Sequence, residues 1–208
     1  MTENTAQSWG AGSKAFHWIM AIMILLEAPV GYFMAHSYAP GRNSPRIEAL
    51  HNLFSQLHHT TGLVILALVL FRLGWRAKHP APELPASLAA YQRGLARLTQ
   101  GLLYALMLAL PFSGWAALSV LADSEQFGKT AIWFFGTDSF PRLPFITPLG
   151  PSDPNGYSRF GGLHVTLVYI GSGVFALHLI GALWHHLVRR DGVLWAMWPG
   201  TGTHNPQR

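Results

Sequence analysis

Four apolar stretches organise this chain, at about 15–35, 52–75, 95–122 and 161–188. Each supplies roughly the 20 residues a helix needs to cross a hydrocarbon core. The apolar residues run around most of each circumference rather than along one stripe, which sets aside a soluble bundle of four buried helices. The pattern predicts an all-α fold, a transmembrane four-helix bundle, in a single integral-membrane domain over residues 1–208. Residues 1–13 are small and polar. The segment AHSYAPGRNSPR after helix 1 is rich in turn formers and reads as an outer loop. Repeated prolines make the run from His79 to Pro85 a stiff inner connection. The loop 123–160 holds Pro141, Pro144, Pro148, Pro151 and Pro154 and is long for a bundle, so a cap over the outer end is expected. In the tail RRDGVLWAMWPG, Trp195 and Trp198 are placed to anchor at the inner interface.

Composition agrees with a membrane solvent. Half the residues are hydrophobic and 11% are charged, against about 25% charged in a soluble domain. With the N-terminus inside, Lys14, Arg72, Arg76, Lys78, Arg93, Arg97, Arg189, Arg190 and Arg208 lie on the inner side, nine of the fourteen cations. Both termini are therefore expected to be cytoplasmic. The net charge of +5 follows from that bias, and no nucleic-acid partner is needed to explain it. Helix 1 is longer than a signal-peptide core and carries His17 and Glu27, so it is expected to remain. The chain has no cysteine, which excludes thiolate-bound clusters, disulfides and thioether-linked haem.

Candidate chemistry rests on the eleven histidines. His164 and His178 are fourteen residues apart in helix 4, nearly four turns, so both project from one face. They are roughly 21 Å apart along the axis, one toward each side of a membrane. Imidazole in hydrocarbon is costly unless satisfied. Matching depth gives each a partner: His17 in helix 1 for His178, and His58 or His59 in helix 2 for His164. Helix 3 has no histidine and is expected only to pack. Two bis-imidazole pairs in a helix bundle suit b-type haem between helices. Gly62, Gly161, Gly162, Gly171, Gly173 and Gly181 would admit a macrocycle or a neighbouring helix.

The other polar groups carry blander readings. Glu27 is the one acid inside an apolar run; it would relay a proton or contact a quinone, or, in the favoured reading, is a protonated carboxyl hydrogen-bonded in the bundle near the carbonyl freed by Pro29. Arg72 would neutralise a haem propionate or snorkel to the interface. His185 and His186 read as interfacial residues, quinone-site groups or propionate partners. His51 has an open role near the outer pair; His36, His79 and His204 have none assigned.

The ordered motifs across residues 14–199 resemble the bacterial cytochrome b561 family, four-helix di-haem membrane cytochromes. They are Phe16-His17-Trp18, His58 four residues before Gly62 and fourteen before Arg72, the run from Tyr104 to Gly114, His164, Leu177-His178, and Ala182-Leu183-Trp184-His185-His186 followed by Asp191, Leu194, Met197 and Pro199. The resemblance selects His58 over His59. It implies two non-covalent haem b groups, with His17/His178 and His58/His164 as the axial ligand pairs, in a bacterial inner membrane. It also implies single-electron transfer linked to quinone, in its sharpest form superoxide oxidation at the outer face with ubiquinone reduced. Loop 123–160 is longer than the compact family pattern, and its charges are three basic (Lys129, Arg142, Arg159) against four acidic (Asp123, Glu125, Asp138, Asp153). Arg42 and Arg46 offer a local basic patch. The alternatives are a cytochrome subunit serving a dehydrogenase or a periplasmic carrier, and a haem-free histidine-rich metal transporter. The transporter would require carboxylates beside the histidines, and only Glu27 is available at depth.

Overall fold

The computed structural model describes residues 3–5, 8–84, 88–121, 131–146, 148 and 155–199. Asp123, Glu125, Lys129, Asp153, His204 and Arg208 lie outside them. The fold is all-α, with four long helices: α1 (Ala11–Gly41), α2 (Pro45–Lys78), α3 (Ala90–Leu121) and α4 (Gly156–Trp184). Helix α4 runs into a π turn, His185–Arg189, and a short α5 follows at Val193–Met197. All four long helices are long and apolar enough to cross a membrane.

The helices outrun the apolar stretches. Their 29–34 residues correspond to about 44–51 Å, whereas hydrocarbon is about 30 Å thick. Hydropathy marks only the lipid-covered part, and helical hydrogen bonding carries each end beyond it. Hence AHSYAPGRNSPR is not an open loop. Helix α1 continues through Pro40 to Gly41, and α2 begins at Pro45, a first position where a missing N–H costs nothing. A Cβ on Gly41 would stand 3.3 Å from Glu48 Cα, so the two helices approach closely at this tight turn.

The chain forms two compact units, and each long helix contributes a segment to both. The first comprises residues 1–21, 68–106 and 170–208. Among the described residues, Met20, Val69, Leu88 and Leu106 are its buried apolar side chains. Asn4 closes it at one corner, accepting from Gly10 N–H and Ser13 Oγ–H and donating to the carbonyls of His79 and Pro80. The tail returns to α1: Trp18 Nε1–H donates to Met197 O at 2.7 Å and Lys14 Nζ donates to Trp198 O at 3.2 Å. Chain reversal before α5 uses positive φ at Arg190 (53°) and Gly192 (77°).

The second unit comprises residues 22–67 and 107–169. Its core is a stripe of small residues on α3, Ser113, Ala116, Ala117 and Val120, spaced as one helix face and buried. The described part of the long loop is ordered against this unit. Residues 132–140 form a hairpin whose ends pair through Ile132 N–H to Asp138 O and Phe140 N–H to Ile132 O. Its tip, Phe135 and Gly136, has φ of 47° and 82°, the both-positive geometry that tight hairpins require. The hairpin leans on α2 and α3: Trp133 N–H donates to His59 Nδ1, Phe135 N–H to Thr60 Oγ1, and Trp115 Nε1–H to Pro141 O.

Candidate functional site

The first unit brings His17 of α1 and His178 of α4 together, with ring centres 6.3 Å apart. The second brings His58 of α2 and His164 of α4 together at 6.1 Å. Imidazole binds a metal at about 2.0–2.1 Å and its ring centre lies about 1 Å behind the nitrogen, so two rings sharing one metal stand about 6 Å apart. Both pairs have that spacing. Among the described residues no three His, Cys, Asp or Glu side chains converge on one point. Each pair therefore offers two ligands, the number needed by an iron whose other four positions are filled by a macrocycle.

The local packing of the second pair is unusually explicit. An added Cβ on Gly31 would lie 2.7 Å from His58 Cε1, and one on Gly114 would lie 3.2 Å from His164 Cε1. A side chain at Gly31 would therefore force the His58 ring or its helix to move, whereas one at Gly114 would ask the His164 ring to give by a few tenths of an ångström. His164 Nδ1 lies 3.0 Å from Leu110 O and 3.1 Å from Ser113 Oγ. A carbonyl only accepts, so Nδ1 carries the proton and Nε2 keeps its lone pair for a metal. Helix α3, expected only to pack, therefore orients a histidine through its own backbone.

His58 Nδ1 is buried and lies 2.9 Å from Glu27 Oε1. The oxygen sits off the ring N–H direction, and Nδ1 completes no hydrogen bond. Glu27 thus stands beside a histidine, not beside the Pro29 turn where the sequence suggested a partner. His59 turns elsewhere: its Nδ1 accepts from the hairpin. Gly162, Gly173 and Gly181 have open space where a side chain would start.

In the first unit, Arg72 donates Nε–H to Tyr104 Oη at 3.0 Å and its guanidinium lies 5.7 Å from the Tyr104 ring centre. Arg76 approaches the same ring at 5.4 Å. The two arginines line a pocket with Phe16, Trp75 and Ser13. His185 Nδ1 meets Asp191 Oδ2 at 2.6 Å, and Arg189 Nε lies 3.5 Å from the same oxygen. The left-handed turn at Arg190, with the N–H groups of Arg190 and Asp191 both reaching back to His185 O, brings this i to i+6 pair together. His186 lies against Trp195. His51 joins α1 to α2 through Met34 O and Ser37 Oγ, with Ser55 on its other side. His36 and His79 bond carbonyls one turn back, Tyr32 O and Trp75 O.

The model of one protein family, prokaryotic cytochrome b561, matches residues 8–200. "Cytochrome b561 homolog 2" of Escherichia coli (strain K12) is 28% identical over 193 residues, 92% of this chain and 91% of that protein. "Cytochrome b561 homolog 1" of the same organism is 27% identical over 155 residues, covering 74% and 80%. "Probable superoxide oxidase CybB" of Yersinia pestis is 24% identical over 186 residues, covering 88% and 91%.

Proposed function

We infer, because the chain belongs to the prokaryotic cytochrome b561 family, that it holds two non-covalent haem b groups and passes single electrons across the bacterial inner membrane. Membership itself makes it a haem b membrane electron-transfer protein and removes the haem-free transporter from consideration. The count of two and the ligand pairs His17/His178 and His58/His164 are the proposal. The observation that carries it is the matched spacing of the two imidazole pairs, 6.3 and 6.1 Å.

Haem b supplies a one-electron ferric–ferrous couple. His17, His178, His58 and His164 would hold the two irons through their ring nitrogens, and groups held so would exchange electrons without binding oxygen. Leu110 O and Ser113 hold His164 in the tautomer this requires. Arg72, in the same unit as His17 and His178, would be the cation to neutralise a propionate. His185, oriented by Asp191, is the group to contact quinone or a propionate at the cytoplasmic side, where both termini would also lie. The finer activity we propose is superoxide oxidation at the opposite face with ubiquinone as acceptor, supported by the name of the Yersinia pestis relative. Arg42 and Arg46 would draw the anion there.

Reduced-minus-oxidised spectra and a pyridine haemochrome assay test the core reading. Two haems per chain are expected, with one lost in His58→Ala and one in His178→Ala. A wild-type stoichiometry of one sinks the paired assignment. Mixing the loaded protein with superoxide tests the finer activity, and haem reduction no faster than in His58→Ala ends it.

A second reading, a subunit serving a dehydrogenase or periplasmic carrier, is favoured by the hairpin. It is fixed on α2 and α3 yet presents Phe135 at 72% exposure. Co-purification of a redox partner in mild detergent would support it, and a strictly lone protein would count against it.

A further inference from the structure

Glu27 and Gly31 lie one turn apart on α1, and His58 and Gly62 lie one turn apart on α2. The four interlock. The His58 ring rests on Gly31, where a Cβ would meet it at 2.7 Å, and the Glu27 carboxyl rests over Gly62, where a Cβ would meet Oε1 at 3.6 Å. Glu27 Oε1 and His58 Nδ1 are brought to 2.9 Å, with the two side chains only 17% and 19% exposed. A carboxyl at membrane depth persists when something satisfies it. Here the group within reach is a buried ring nitrogen that makes no hydrogen bond of its own.

We propose that Glu27, as a carboxylate rather than the protonated carboxyl expected from the sequence, is a positioning residue for His58: it stands beside Nδ1 and lowers the reduction potential of the iron that His58 and His164 would share. This rests on the ligand pairs proposed above. A carboxylate behind an imidazole makes the ring a stronger donor to its metal and favours the oxidised, more positive iron. His164, by contrast, is backed by a neutral carbonyl and a hydroxyl. At the other pair, among the described residues, no carboxylate is paired with His17 or His178. The two sites are therefore graded, and electrons run downhill from His58/His164 to His17/His178.

Potentiometric titration of the full-length, haem-loaded protein tests this. Wild type is expected to titrate in two steps, with His58→Ala removing one haem and the lower-potential step. Glu27→Gln, close in shape, is expected to keep both haems and raise only that lower step. At a fixed poise its oxidised-to-reduced ratio should fall about tenfold, about 59 mV for one electron. Glu27→Ala serves as a second variant and should move the same step the same way. Two retained haems with an unmoved lower step in Glu27→Gln overturn the role of Glu27. A shift in the step that survives His58→Ala overturns it as well. If His58→Ala keeps both haems, the ligand assignment fails first and this inference falls with it.

Discussion

At the scale of single residues, the site is decided by what is missing from two of them. Gly31 and Gly114 leave the space that the His58 and His164 rings fill, and the two gaps differ by half an ångström. Gly31→Ala places a methyl 2.7 Å from a ring carbon and forces the ring or α1 to move, an overpacking of about 1–3 kcal/mol. We expect haem content to fall from two per chain toward one in Gly31→Ala. Gly114→Ala, at 3.2 Å, should retain most of both. A haemochrome assay on the two purified variants ranks them, and equal retention would count against the Gly31 cradle. Gly62 behaves differently, because a Cβ there meets only ordinary contact. It marks the motif in the sequence without being the glycine that holds the ring, and Gly31, which is, has no motif to announce it.

At the scale of elements, the four helices were legible because lipid demands long apolar runs, and little else in a sequence imitates them. Their ends were not, because a helix continues past the hydrocarbon edge without changing its hydrogen bonding. Periodicity and depth brought His17 to His178 and a helix 2 histidine to His164. The adjacent His58 and His59 were separable only by a family pattern, since both lie at one depth. The structure gives the physical distinction: His58 faces α4, while His59 receives the backbone of a loop hairpin. The contribution of α3 was invisible for a different reason. A backbone carbonyl such as Leu110 O carries no residue code, so a helix without histidine looked inert. His185 and Asp191 escaped as a pair because six-residue spacing joins nothing until a left-handed turn, here at Arg190, reverses the chain. The hairpin supplies a prediction at this scale. His59→Ala removes the acceptor for Trp133 N–H, worth about 1 kcal/mol. Amide exchange at Trp133 should then rise about fivefold while haem stoichiometry stays at two. Loss of a haem in this variant would assign the ligand to the wrong neighbour.

At the scale of the whole molecule, the surface is built for a solvent other than water. The most apolar stretch of α1 is 6% buried and that of α4 0%, and side chains such as Phe71, Tyr169 and Leu177 are more than half exposed. In a bilayer that exposure is the favourable state. The tail is fastened by polar bonds instead. Trp18→Phe keeps a ring against Trp198 but deletes the 2.7 Å bond to Met197 O, a loss of about 1 kcal/mol. Limited proteolysis should cut within residues 190–199 about fivefold faster, with the haem spectrum unchanged. An unchanged rate would mean that the indole bond does not hold the tail.

That fastening also sets a clock. His178 leaves the ribosome 161 residues after His17, a delay of about 8–32 s at ordinary synthesis rates. His164 follows His58 by only 106 residues, so the more acid-flanked pair has both its members first. Met197 and Trp198 come later still, and they bind back to Trp18 and Lys14 on the helix that was made first. Closure of the first unit therefore waits on the segment that follows α4, and His17 meets its partner later in synthesis than His58 meets His164.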